Sequence, residues 1–185
     1  MAYYNQPPQP GGYNGIPPNV VAWFQSVDRD RSGNITANEL QQALTNNDWS
    51  HFSLTTCHKM VSMFDRDYSG TIDINEFNSL WNYIQSWRNT FSHYDQDRSG
   101  FISINELHAV FAQLGFHVSP QFVSNSAMYR YDINRRGQLN FESFISCCIL
   151  LQSLTGQFQQ RDTQRQGRCQ LNYEDFMMMA VSNLK

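Results

Sequence analysis

The chain has 185 residues, 41% of them hydrophobic and 16% charged, enough apolar material for one large domain or two small ones. Its 13 Lys and Arg against 16 Asp and Glu leave a net charge of −3, without the broad basic field that nucleic-acid binding requires. Cys57, Cys147, Cys148 and Cys169 lack CxxC spacing and read as reduced, mostly buried thiols of a cytoplasmic protein. The N-terminus lacks a basic-then-apolar signal pattern. The longest apolar run, Phe144 to Leu151, falls far short of the roughly 20 residues of a membrane span. Membrane contact is therefore expected to be peripheral only.

Residues 1–18, MAYYNQPPQPGGYNGIPP, are dominated by Pro, Gly, Tyr, Asn and Gln and predict a flexible arm. From Asn19 to Lys185 the sequence repeats. Five segments set oxygen-bearing side chains around Gly33, Gly70, Gly100, Gly137 and Gly167, at intervals of 37, 30, 37 and 30 residues. The alternation implies a higher-order repeat of 67 residues, which also separates Asp28, Asp95 and Asp162. Each short interval holds one apolar stripe of helical spacing: Phe77, Leu80, Trp81, Ile84, Trp87 and Phe91, then Phe144, Cys147, Cys148, Leu151, Leu154 and Phe158. One helix is thus expected to close one unit and open the next. The long intervals are broken at NNDWSHFS and LGFHVSPQ and predict two helices each. The expected fold is all-α: five helix-loop-helix hands near 19–48, 55–86, 82–115, 121–152 and 149–185, with short β contacts where loops pair.

The loops carry the chemistry. Calcium is a hard cation that takes six to eight oxygen ligands at roughly 2.3–2.6 Å. A twelve-residue loop supplies them from positions 1, 3 and 5, a carbonyl at 7, often a water at 9 and a bidentate Glu at 12, with Gly making the turn at 6. The first loop offers Asp28, Asp30, Ser32, Asn34 and Glu39 around Gly33. The second offers Asp65, Asp67, Ser69, Thr71, Asp73 and Glu76 around Gly70, and the third Asp95, Asp97, Ser99, Phe101 and Glu106 around Gly100. The fourth loop has Arg136 at position 5 and Ser143 at position 12; a guanidinium has no acceptor and repels the ion. The fifth has Gln164, Gln166 and Arg168, and its first downstream acid, Glu174, falls one place late. Two to three calcium ions per chain are expected, with the last two hands structural.

Five hands with this spacing behind a Pro/Gly/Tyr arm resemble the penta-EF-hand family. The resemblance runs from Asn19 to Lys185 and is carried by AWFQSVDRDRSG (22–33), ELQQAL (39–44), MFDRDYSG (63–70), YDQDRSG (94–100), SPQF (119–122), DTQRQG (162–167) and YEDFMMM (173–179). It implies an adaptor, not an enzyme, that dimerises through its fifth hand. It also implies calcium-dependent capture of Pro-rich or apolar peptide segments, and action in vesicle trafficking at endoplasmic-reticulum exit sites. Both a homodimer and a heterodimer with another member of the family fit.

Dimerisation has its own basis in the residues. Loops pair through position 8, so Ile35 is expected to face Ile72 and Ile102 to face Leu139, which leaves Cys169 over. Met177, Met178 and Met179 serve either as core or as an adaptable interface beside it. In the switch, calcium neutralises clustered carboxylates, draws the position-12 Glu inward and reorients the outgoing helix. For the third hand that helix runs through Leu107, Val110, Phe111 and Leu114 to Phe116, and its movement against the fourth hand is the expected partner site. A calcium buffer and a regulatory subunit of a larger enzyme are the competing functions. The five scattered histidines suggest no catalytic constellation.

Overall fold

The computed structural model describes residues 15–46, 49–132 and 135–182. The expected arm thus lies almost wholly outside the described residues, and Pro18 already opens the first helix. Helices α1 (Pro18–Val27) and α2 (Ala37–Ala43) flank the first loop, and α3 (Leu54–Phe64) and α4 (Ile74–Tyr94) the second. Strand β1 (Ile102–Ser103) and helix α5 (Ile104–Gln113) follow the third loop. The next helical stretch is composite: α6 (Pro120–Phe122), a π-helical segment (Val123–Met128) and α7 (Tyr129–Tyr131). Strand β2 (Gln138–Leu139), α8 (Phe141–Arg161) and α9 (Tyr173–Ser182) complete the chain.

The two long helices are shared between hands, as the short intervals require. Helix α4 leaves the second loop and enters the third, burying Phe77, Leu80, Ile84, Trp87 and Phe91 on one stripe. Helix α8 does the same between the fourth and fifth loops. Its buried residues stop at Leu151, because beyond that point the helix leaves the core and carries the fifth hand outward. The core is continuous: Phe91 packs edge-on to both Phe141 and Phe144 with centroids 5.4 Å apart, and Trp87 meets Phe144 at 5.7 Å. Each such buried ring contributes roughly 1.5–3 kcal/mol over leaving it exposed.

Loop pairing follows position 8. Ile35 and Ile72 exchange backbone hydrogen bonds at 2.8 and 2.9 Å, and β1 pairs antiparallel with β2, Ile102 opposite Leu139. All four are fully buried. Among the described residues Cys169 has no such partner strand.

One junction was not legible beforehand. The connection between the first two hands is tied to the start of α8, nearly a hundred residues later. Asn46 Oδ1 accepts the Glu142 N–H at 2.8 Å, and the Glu142 carboxylate accepts the Ser53 N–H, the N-cap residue of α3, at 2.9 Å. The Arg88 guanidinium donates to the Thr45 carbonyl at 3.2 Å and lies 4.6 Å over the Phe141 ring. An acid at position 11 of the fourth loop, useless as a calcium ligand, thus serves as a long-range helix cap.

Candidate metal centre

Each loop begins where its incoming helix ends. Asp28, Asp65, Asp95 and Asp162 are the C-cap residues of α1, α3, α4 and α8, and each backbone N–H still bonds into the helix. The carboxylate of each then accepts two loop N–H groups. For Asp28 these come from Ser32 and Gly33 at 3.0 Å each; for Asp65 from Ser69 and Gly70 at 3.0 and 2.9 Å; for Asp95 from Ser99 and Gly100 at 2.9 Å each. Those bonds bend the chain so sharply that positions 4 and 6 both take positive φ, as at Arg31 (58°) and Gly33 (82°). Glycine supplies the second freely, whereas a non-glycine residue at the first costs roughly 1–2 kcal/mol. Tyr68, Arg98, Arg135 and Arg165 repeat that strain. Sequence reasoning missed this feature, and nothing in an Arg or Tyr announces it.

The outgoing side is fixed by the position-12 glutamates. Glu39 Oε2 accepts the Thr36 N–H at 2.9 Å while Thr36 Oγ1 accepts the Glu39 N–H, a reciprocal capping box at the start of α2. Asp73 with Glu76 and Ser103 with Glu106 do the same for α4 and α5. The other carboxylate oxygen of each glutamate reaches back across the loop to the N–H at position 2: Arg29 at 3.0 Å, Arg66 at 2.7 Å, Gln96 at 3.2 Å. These glutamates therefore already face the loop interior, the placement expected of the switched hand.

Three acidic clusters result: Asp28, Asp30 and Glu39; Asp65, Asp67 and Glu76; Asp95, Asp97 and Glu106. In each cluster one oxygen per residue lies within 4.8 Å of the others. The hydroxyls of Ser32, Ser69 and Ser99 turn to the same place, donating to the carbonyls of Asn34, Thr71 and Phe101 at 2.9, 3.3 and 3.1 Å. Carboxylate, hydroxyl and carbonyl oxygens with no nitrogen or sulfur suit a hard divalent cation, so the residues present fit calcium. Asp73 is placed differently. Its Oδ1 caps α4, accepting from Asn75 and Glu76 N–H at 2.8 Å each, and it does not join the cluster.

The electrostatics agree. Hydrogen bonding to Ser32, Ser69 and Ser99 holds the carboxyls of Asp30, Asp67 and Asp97 below their ordinary range. Partial burial pushes Glu39 up, but hydrogen bonds from Thr36 and the Arg29 N–H outweigh it and lower the group overall. These four carboxyls thus hold their charge to lower pH than free carboxyls do.

The fourth and fifth loops share the backbone without the ligands. Asp132 accepts from the N–H groups of Arg136 and Gly137, and Asp162 from Gln166 and Gly167. In the fifth loop Gln166 Oε1 takes both Nε and Nη2 of Arg168, at 3.0 and 2.9 Å, while its amide donates to Gln164. A side-chain relay ending in a guanidinium occupies positions 3, 5 and 7 there.

The interaction surfaces expected from the sequence are placed as follows. Leu107, Val110 and Phe111 of the third hand's outgoing helix are fully buried, while Ile104 at its start lines an open cleft of about 520 Å³ with Met128 and Tyr129 of the fourth hand's incoming helix. Met177 and Met178 are not core: α9 has no buried residue at all and exposes Tyr173 (79%), Phe176 (56%) and Met178 (55%).

Comparison with known proteins fits this geometry. The EF-hand domain pair, as a family, matches residues 21–81 and 84–148. Peflin of Xenopus laevis is 46% identical over 172 residues, covering 92% of this chain and 60% of that protein. Sorcin of Homo sapiens is 39% identical over 187 residues, covering 94% of this chain and 92% of that one. The chain thus spans about three fifths of that peflin's length but nearly all of the sorcin's. A solved homologue of programmed cell death 6 protein from Leishmania major Friedlin matches with a TM-score of 0.79 at 33% identity, covering 89% of this chain and 94% of its own. This chain is therefore a calcium-binding EF-hand protein and belongs to the penta-EF-hand family of peflin and sorcin.

Proposed function

We propose that the chain is a calcium sensor that pairs through its fifth hand and acts as an adaptor between partner proteins. Asp28, Asp30, Ser32, the Asn34 carbonyl and Glu39 hold the first ion. Asp65, Asp67, Ser69, the Thr71 carbonyl and Glu76 hold the second, with Asp73 acting through a bound water at most. Asp95, Asp97, Ser99, the Phe101 carbonyl and Glu106 hold the third. The adaptor reading extends to Pro-rich or apolar partner segments, to peripheral membrane association when calcium is bound, and to work at endoplasmic-reticulum exit sites. That extension rests on the resemblance to the penta-EF-hand family alone.

The observation that carries the reading is the state of α9. Its exposed stripe of Tyr173, Phe176, Met177 and Val181 adjoins a loop whose position-8 residue, Cys169, has no pairing partner among the described residues. A second hand brought alongside supplies both the missing strand and an apolar cover. Analytical ultracentrifugation of Phe176→Glu/Met177→Glu against the unaltered chain tests it. A dimer that becomes a monomer is expected. An unaltered chain that is a clean monomer at micromolar concentration overturns homodimerisation and leaves the heterodimer to be tried with a second penta-EF-hand protein.

A further inference from the structure

An open groove of about 640 Å³ lies between α3 and α8, roofed at one end by α7 and reaching Ser182 at the end of α9. That volume falls within the roughly 300–1,000 Å³ of ligand clefts. Its apolar part is formed by Met63 from α3 and by Ile149 and Leu150 from α8. Its charged lining is of one sign, Lys59 from α3 and Arg130 from α7, with no carboxylate among the described residues that line it. Glu142, at the start of α8, is turned away to the Ser53 N–H at 2.9 Å. The Arg130 guanidinium stands 5.7 Å over the Tyr131 ring, a contact that holds it at the rim.

One wall of the groove ends at the second calcium loop. Helix α3 runs directly into Asp65, whose N–H still bonds to the Val61 carbonyl at 2.9 Å, so a ligand of the second loop terminates one wall. Helix α8, the other wall, continues into the fifth hand. Charge adds a second coupling. Three bound calcium ions bring six positive charges and turn the net charge of −3 into +3. The long-range field then attracts an anionic partner that it previously repelled.

We propose that the groove between α3 and α8 docks an acidic, partly apolar segment of a partner protein when the calcium loops are filled. Carboxylates of that segment pair with Lys59 and Arg130 while an apolar side chain enters against Met63 and Ile149. This rests on the sensor reading above and names the chemistry of its partner.

The test is fluorescence anisotropy on the full chain in calcium and in chelator, with a short labelled Glu/Leu-rich peptide as probe. Lys/Leu-rich and Pro/Tyr-rich peptides serve as comparisons. Calcium-dependent binding of the acidic peptide is expected, weakened by about tenfold or more in Lys59→Glu/Arg130→Glu, with an association rate that falls as salt rises. Thr55→Glu adds a negative charge at an exposed rim position in the first turn of α3, where helix polarity favours it, and is expected to weaken the probe in the same direction. Arg165→Glu, an exposed change in the fifth loop that removes more positive charge than Thr55→Glu does, is expected to leave affinity within about twofold if the groove rather than overall charge is read. Equal losses in all three variants, or equal affinity for the Lys/Leu-rich peptide, overturn the proposal. Calcium-dependent capture of the Pro/Tyr-rich peptide that ignores these substitutions refutes the groove yet keeps the sensor. Loss of every calcium-dependent response in the unaltered chain refutes the sensor itself.

Discussion

Asn46→Ala tests whether the fourth hand is anchored through the connection between the first two. Asn46 is 4% exposed, its Oδ1 accepts the Glu142 N–H at 2.8 Å, and its amide donates to Ser50 Oγ at 3.0 Å. Glu142 lies in the first turn of α8, where backbone N–H groups have no partner within the helix. Asn140 caps the Ser143 N–H at 2.9 Å, so Asn46 acts as a second cap delivered from the far end of the sequence. Loss of a helix cap costs about 0.5–2 kcal/mol. Stranding a half-buried N–H costs about 1–3 kcal/mol, an overlapping penalty that sets the upper part of the range. We expect a loss of about 2–3 kcal/mol, or a fall in Tm of about 4–12 °C for a chain of this size. Urea and thermal unfolding by circular dichroism, at one fixed free-calcium concentration, measure it. Asn38→Ala, an exposed change on α2, should stay within about 0.5 kcal/mol. The double mutant with Glu142→Ala should show coupling of about 0.5 kcal/mol or more, because both bonds hold the same connection. An Asn46→Ala loss below about 0.5 kcal/mol would show that packing of Phe52 on Phe141 holds the junction unaided.

Glu106→Gln should remove one calcium ion from the stoichiometry found by titration calorimetry and leave the first two loops filled; an unchanged count refutes the third-loop assignment. Arg168→Ala should release the Gln164–Gln166 relay without creating a calcium site, since the fifth loop still lacks a position-12 acid, and a new binding heat there would contradict the assignment. Burial raises the thiols of Cys57 and Cys147 to about 12 and that of Cys148 well above its usual value. A thiol reagent at pH 8 should therefore modify no more than half-buried Cys169 in the native chain and all four thiols in denaturant. The lowered carboxyls of Asp30, Asp67 and Asp97 bind fewer protons folded than unfolded, so their contribution is present above the ordinary carboxylate range of about 4 and lost only as pH falls through the lower folded values. Calcium affinity followed downward in pH should hold to about that point, and a loss centred above pH 6 would refute it.

The sequence by itself determined what is built from neighbours in the chain. A loop of twelve residues closes through bonds that span two to ten positions, from Asp28 to Gly33 and from Arg29 to Glu39, so its residue types at fixed spacing specify its shape. The same locality made the shared helices legible, because Phe77 to Phe91 lie on one stripe of one helix. Even the pairing of Ile35 with Ile72 and Ile102 with Leu139 followed from the repeat, which sets one residue of each loop opposite its counterpart. Only the tertiary structure decided the rest. Whether Met178 is core or surface depends on how far α8 carries the fifth hand from the body, and no local pattern encodes that distance. That Leu107, Val110 and Phe111 are buried, and that an open groove lies between α3 and α8, depends on helices packing across large separations in sequence. The role of Glu142 is the clearest case. At position 11 of its own loop it looks like a misplaced ligand, and its function appears only when folding brings Ser53, 89 residues away, to its carboxylate.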